Sequence, residues 1–424
     1  MRSGAVGVPQ KSRILRTVAA LSGIRVVDFT LNLPGPYTTM VLRSMGAEVI
    51  KVEPPRGDTA RIFPRMFEIL NAGKHSVVAD LRDDAANASV RRLVAEADVV
   101  VEGFRPGVMA RFGLGPQQVR EAFPRVVYCS ISGFGQDGPY RDHPGHDLNF
   151  QALTGVCHML RDDRDRPLGG AIPFGDLSAA MSASTAIVGA LFERERTGQG
   201  QVLDVAIVDA LLSWAYVWSE GLTPSDATLA DAAEPTAAAL RRAGEALPGG
   251  LGSMVGKLAD SLSAGRGRAT LQRVSDKLRQ TKRVQSMERL RLHTLPHYTV
   301  YGTADGRYLS IGVVDEDKFW RKACEVLDLG GAAGLPLWGR FLAAAPLRSR
   351  IAAKIREAPL EVWVTRFREA GVPVAPVLSV EEALEDVQLR TRRPAQGPVR
   401  GPWSVGEPFD APAPKLGEHT DRWL

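Results

Sequence analysis

GIRVVDFTLNLPGPYTTMVLRSMGAEVIKVE (residues 23–53) reads as strand, helix and strand in direct succession. GIRVVDFT (23–30) is an almost unbroken apolar run. LPGPYTTMVLRSMG (33–46) spaces its apolar residues at helical intervals and stops at Gly46. AEVIKVE (47–53) is a second run, closed by Pro54 and Pro55. A strand without polar alternation is covered on both faces, which is the condition of a parallel sheet flanked by helices. The pattern continues outward. HSVVADL (75–81), DVVVEGF (98–104) and RVVYCSIS (125–132) are further strands, separated by the helical DDAANASVRRLVAEA and PQQVREAF. SAAMSASTAIVGALFERERTG (178–198) is a long helix of small residues capped by Gly198, and LDVAIVDALLSWAYVW (203–218) continues as strand or helix. The fold class expected is α/β with a parallel sheet.

The character then changes. Residues 219–292 are rich in Ala, Gly, Arg and Ser and read as an insertion or loosely helical arm. Order returns at LPHYTVYGTADGRYLSIGVV (295–314), a hairpin around Ala304-Asp305-Gly306. The expected division is a basic leader at 1–20, a large domain from 21–218 and 387–424, the basic arm at 219–292, and a small α+β domain at 293–386.

The chain has 424 residues, 44% hydrophobic and 24% charged, an ordinary globular balance. No apolar run reaches about 18 residues, so no membrane span is expected. Cys129, Cys157 and Cys324 stand far apart, which argues for a reducing compartment, read here as the cytoplasm, and against a structural zinc site. His143 and His146 lack a further ligand cluster, so no metal is expected. The net charge of +5 is local, since Lys257 to Arg291 carries ten Lys/Arg against three acids. That segment has no interleaved aromatics, so nucleic acid is not an expected partner.

GFGQDG (133–138) matches a dinucleotide fingerprint but is followed by Pro139 and Tyr140 rather than by a helix, so its glycines are read as shaping a turn. No GxxxxGK[ST], GxSxG or HExxH occurs. PGHDLNFQALTG (144–155) sets His146 beside Asp147. Taken alone, that pair is a capped turn, and Asp176 after Gly175 is the start of the long helix.

Several ordered motifs carry a resemblance. LSGIRVVDFTLNLPGPYTTMVLRSMGAEVIKVEPPRGDTAR (21–61), LNAGKHSVVADL (70–81), EGFRPGVMARFGLG (102–115), RVVYCSISGFGQDGPY (125–140), FGDLSAAMSASTAIVGALFERERTGQGQVLDVAIVDA (174–210) and LGEHTDRWL (416–424) resemble the class III CoA-transferase / α-methylacyl-CoA racemase family. The resemblance implies a Rossmann-like large domain built from both chain ends, a smaller domain, and an interlocked homodimer. It implies coenzyme A as part of the substrate and no tightly bound cofactor. By position, Val78, Asp80, Leu81, Glu102, Gly103, Phe104, Arg105, Arg111 and Asn149 resemble the residues that contact CoA. An arginine common in the family is Pro54 here, so Lys51 or Arg56 is expected to supply that charge.

Asp176 resembles the carboxylate shared by both branches of the family, a nucleophile in transferases and an acid/base in racemases. GHDLNF resembles the racemase GHDxNY, with His146 as the second acid/base. IGVVDEDKFW (311–320) resembles GxxEPxF, which nominates Glu316 to orient the imidazole together with Asp147; Asp317 stands where the family has proline. Phe150 stands where racemases often carry tyrosine. The glycine-rich loop of transferases has no counterpart just before the hairpin, since LPGGLG (247–252) lies earlier. The expected function is therefore racemisation or epimerisation of a 2-methyl-branched acyl-CoA by two-base proton transfer. The alternatives are CoA transfer through an aspartyl-CoA at Asp176, and non-catalytic binding of acyl-CoA.

Overall fold

The computed structural model describes residues 19–160, 162, 166–219, 241, 260, 295–314, 316–335, 337–392 and 411–424. The leader and nearly all of the basic arm expected at 219–292 lie outside them. The chain divides into two compact units, one from residues 1–217 and 386–424 and the other from 218–385.

The first unit alternates strands and helices as the apolar runs require. They are β1 (Arg25–Asp28), α1 (Pro34–Ser44), β2 (Glu48–Glu53), α2 (Pro64–Asn71), β3 (His75–Val78), α3 (Asp84–Ala95) and β4 (Val99–Glu102). Then follow α4 (Val108–Arg111), α5 (Pro116–Ala122), β5 (Val127–Ser132), α6 (Asp147–Leu153), α7 (Val156–Met159), α8 (Phe174–Thr197), β6 (Val202–Ala206) and α9 (Ile207–Ser219). All six strands are parallel, in the order β3-β2-β1-β4-β5-β6. The ambiguous 203–218 stretch contains both a strand and a helix.

Both faces of the sheet are covered. On one, Val26, Val99, Val127 and Cys129 pack against Ala179, Ala183 and Ile187 of α8. On the other, Val27, Ile50, Val77 and Val100 pack against Val90, Leu93 and Val94 of α3. The small residues of α8 let it close on α1, where Thr38 Oγ1 donates to Ala180 O at 3.3 Å. α8 is the one described helix long and apolar enough to cross a membrane, but Ala179, Ala183 and Ile187 on it are fully buried in the core. Residues 411–424 return to the edge strand β3: the His419 N–H donates to Ser76 O at 2.9 Å and the Val78 N–H to Thr420 Oγ1 at 3.0 Å.

The second unit contains an antiparallel sheet of β7 (Tyr298–Gly302), β8 (Tyr308–Gly312) and β9 (Val374–Pro376) in that order. Gly306 turns the β7–β8 hairpin with φ 74°. Its core is built on Leu309, Ile311, Trp320, Ile351, Trp363 and Phe367.

Candidate active site

In this strand order β1 lies between β2 and β4, and the chain runs outward from it in both directions. Such a reversal opens a crevice beyond the carboxyl ends of the strands, where ligands bind in open α/β sheets. A cleft of about 490 Å³ lies there, a volume suited to a small-molecule site. The loops after β1, β4 and β5 and the first turns of α1, α6 and α8 line it.

Each wall is fixed from beneath. After β1, Asp28 Oδ1 accepts the Thr30 N–H at 2.9 Å and its hydroxyl at 2.5 Å. Asn32 takes the left-handed conformation, φ 64°, and its N–H donates to Asp58 Oδ1 at 3.0 Å. α1 then begins at Pro34 and Gly35, where a β-carbon would lie 2.1 Å from Thr30 Cβ, so only glycine permits the close approach. After β4, the buried Glu102 carboxyl accepts the Phe104 N–H at 2.8 Å. Burial pushes that carboxyl up to about 7.

After β5, Gly135 and Gly138 have φ 88° and 83°, the Gly135 N–H donates to Ser132 Oγ at 3.1 Å, and the Gln136 N–H donates to Asp204 Oδ2 at 2.9 Å. GFGQDG is thus a turn, and no helix opens before Asp147. The Phe134 and Phe150 rings meet edge-on at 5.3 Å. Glycine at 133 and 145 makes room for Phe150, because a β-carbon there would come within 2.7 and 2.6 Å of its ring. This apolar plug supports the turn that carries His146.

His146 is the N-cap of α6 and lines the cleft, and its backbone N–H donates to Asn149 Oδ1 at 3.0 Å. Asp176 lies in the first turn of α8 and lines the same cleft. Burial first, and the negative charge of Asp147 second, push the Asp176 carboxyl up to about 7. His146 and the Asp176 carboxyl, the latter able to hold a proton near neutrality, therefore line one cavity. That arrangement can accept and donate protons at a single bound molecule.

Asp147 departs from its expected role. Its Oδ1 accepts the Gly175 N–H at 2.8 Å and the Asp176 N–H at 3.2 Å, while Oδ2 accepts from the Gln151 amide. A carboxylate at the open N–H groups of a helix start is a strong cap, so Asp147 fastens α8 to α6 rather than orienting His146.

Gly103, Phe104 and Arg105 line the cleft; Lys51 does not, so of the pair Lys51 and Arg56 it is not the lysine that offers a charge there. Its side chain is fully buried, with Nζ donating to Thr30 O at 2.6 Å and pairing with Asp58 at 2.9 Å, so it has no donor facing solvent phosphate. Arg56 and Arg111 are exposed. Asp80 is held by Arg82 through two side-chain hydrogen bonds, which draw its carboxyl down to about 2. Leu81 O accepts from the Asn87 amide at 3.1 Å, and Val78 is engaged by Thr420. Glu102 and Asn149 brace the walls through the bonds already given. Glu316 belongs to the second unit, where its Oε2 accepts the Val314 N–H at 3.1 Å. Thr30, Asn32, Arg141 and His143 also line the cleft, though the sequence nominated none of them as a catalytic or CoA-contacting residue.

The family model for CoA-transferase family III matches residues 21–237 and 232–420. The chain belongs to this family. Members of the family with different reactions resemble this chain equally well over its whole length. It is 28% identical to the succinate–glutarate CoA-transferase of Agrobacterium fabrum, over 95% of this chain and 94% of the relative. It is likewise 28% identical to the α-methylacyl-CoA racemase of Homo sapiens, over 96% and 92%. Among solved structures, a CAIB/BAIF family protein from Brucella suis superimposes with a TM-score of 0.70 at 25% identity, covering 95% of this chain and 97% of that one. The family is enzymatic and contains both racemases and CoA-transferases.

Proposed function

We propose that this chain is an acyl-CoA racemase or epimerase that inverts the α-carbon of a 2-methyl-branched acyl-CoA by proton transfer through His146 and Asp176. The observation that carries the reading is the lining of one cleft by both residues. A hydrogen α to a thioester is weakly acidic, and inversion requires its removal from one face and return on the other. The neutral imidazole takes the proton while the Asp176 carboxylic acid delivers one from opposite; the roles exchange for the other enantiomer. An ordinary aspartate would be almost fully ionised at neutral pH. A carboxyl raised to about 7 retains a proton and still releases it, the balance a general acid/base needs. The positive end of α1, whose Pro34 and Gly35 line the cleft, favours the negative charge that develops on the thioester oxygen. Arg105, on the cleft wall, together with the exposed Arg56 and Arg111, is suited to the phosphates of CoA.

CoA transfer is the second reading, favoured by the full-length similarity to a transferase. There the ionised Asp176 attacks the thioester carbonyl and CoA leaves as thiolate. Incubation with a 2-methylacyl-CoA in deuterated water, without an acceptor acid, separates the two. Racemisation is expected to wash deuterium into the α-position, read by mass spectrometry. Exchange of CoA onto added free acids without α-deuteration would replace this reading by the transferase one, and neither signal would leave only a binding protein.

The same reading takes the chain to be a cytoplasmic, interlocked homodimer. Light scattering is expected to give a mass near twice 45.8 kDa, and a single-chain mass would remove the dimer.

A further inference from the structure

The cleft wall after β1 and the end of the chain meet at one buried carboxylate. Glu53, the last residue of β2, is fully buried. Its Oε2 accepts the Asp58 N–H and Arg61 Nε–H, both at 2.9 Å, and its Oε1 accepts from Arg61 Nη2 at 2.7 Å and from the Ser76 hydroxyl at 2.6 Å. A carboxylate has about four acceptor sites, and all are taken. If any of these donors leaves, a buried charge is short of a bond, which costs more than it would for a neutral group. The donors therefore hold their places together.

On one side lies the wall. Asp58 Oδ1 accepts the Asn32 N–H at 3.0 Å, and Asp58 pairs with Lys51, whose Nζ donates to Thr30 O at 2.6 Å. Thr30 and Asn32 both line the cleft. Asn32 is held at φ 64°, a sparsely populated conformation for a residue with a side chain. It persists because Asp58 fixes its N–H and the Thr59 hydroxyl donates to its Oδ1 at 2.6 Å.

On the other side lies the C-terminal segment. Pro414 O accepts from Arg61 Nη1 and Nη2 at 3.2 and 3.3 Å. The Gly417 N–H donates to the Ser76 hydroxyl at 3.1 Å, and the Ser76 N–H donates to His419 Nδ1 at 3.3 Å. Of the three residues that hold Glu53, Arg61 and Ser76 are thus themselves held by residues 414–419, and Asp58 holds the wall.

We infer that Glu53 is a positioning residue that couples the docking of residues 414–419 to the shape of the cleft. The C-terminal segment then acts as a strap. Docked on β3, it keeps the Thr30–Asn32 wall in its binding form; released, it lets the wall relax. The consequence for CoA rests on the reading of the cleft as an acyl-CoA site, whereas the coupling itself does not. Coupling of this kind is reciprocal, so a ligand that fills the cleft also holds the strap down.

Amide hydrogen exchange on the full chain tests this, residue by residue. Gly417→Pro has neither the N–H nor the φ of 69° that the docked strap requires, so the strap cannot keep its place. In this variant without ligand, the Asn32 amide is expected to exchange about tenfold faster or more. The Val90 and Leu93 amides of α3 are expected to keep their wild-type rates, which shows that the variant is folded. If α3 also quickens, Gly417→Ala is the milder form of the same test, since its β-carbon would lie 3.1 Å from Val78 Cγ2. Glu53→Gln is expected to quicken Asn32 by itself and to leave Gly417→Pro without further effect on it. An Asn32 rate that ignores the loosened strap would overturn the inference, as would effects of the two substitutions that simply multiply. In the wild type, saturating CoA is expected to slow the His419 amide about tenfold without slowing α3, and Gly417→Pro to weaken CoA about tenfold in calorimetric titration. A strap indifferent to bound CoA would also overturn it. Failure of wild type to bind CoA at all would instead end the acyl-CoA reading, and the Asn32 exchange would still decide the coupling.

Discussion

Asp176→Asn is expected to lower racemisation about 10²–10⁴-fold and at the same time to make the folded chain more stable at pH 8. The first effect follows from removing the group that returns a proton to one face of the α-carbon. The second follows from the same burial. The folded carboxyl sits at about 7 against an ordinary value of 3.8. A group raised on folding contributes its full stability below the unfolded value, and that contribution is lost as pH rises through the folded one. Above pH 7 the wild type therefore holds a poorly solvated carboxylate, at a cost of about 4 kcal/mol. Asparagine has the same shape and no charge to desolvate. In urea unfolding, the variant's advantage should open between about pH 4 and 7 and stay level above. A variant less stable at pH 8, or a difference that does not change with pH, would remove the electrostatic account. His146→Gln supplies the complementary kinetic test. It should lose racemisation to a similar degree yet still exchange the α-hydrogen of the enantiomer that faces Asp176, which a one-base enzyme could not do.

The largest loss of stability is expected from Lys51→Met. Lys51 and Asp58 pair at 2.9 Å with both side chains fully buried. Breaking a buried pair from one side leaves the other charge without a partner, which costs about 3–5 kcal/mol. The damage should reach the cleft, because Lys51 also holds Thr30 O, and Asp58 also accepts the Asn32 N–H and the Ala60 N–H that opens the following turn. Chemical denaturation reads the first effect, and a weaker affinity for CoA reads the second. A loss below about 1 kcal/mol would mean that water or another cation reaches Asp58.

The strands were legible because burial on both faces leaves an unbroken apolar run, which needs no knowledge of the neighbours. The boundary inside 203–218 was not, since β6 passes straight into α9 without a proline or glycine between them. His146 and Asp176 were found through motifs, and the structure places both on one cavity. Asp147 misled because its partners are backbone N–H groups 28 and 29 residues away, and backbone donors have no sequence signature. Lys51 misled for a similar reason: within VIKVE nothing distinguishes a lysine that snorkels to solvent from one paired inside.

The docking of residues 411–424 on β3 has a kinetic consequence. The Gly417 N–H reaches the Ser76 hydroxyl across 341 positions of sequence. While a ribosome is still making the middle of the chain, the outermost strand of the first unit has its rim bare, open to pairing with a neighbouring nascent chain. Closure must wait for a loop longer than most whole domains, so this rim should be the last part to gain protection from hydrogen exchange during refolding.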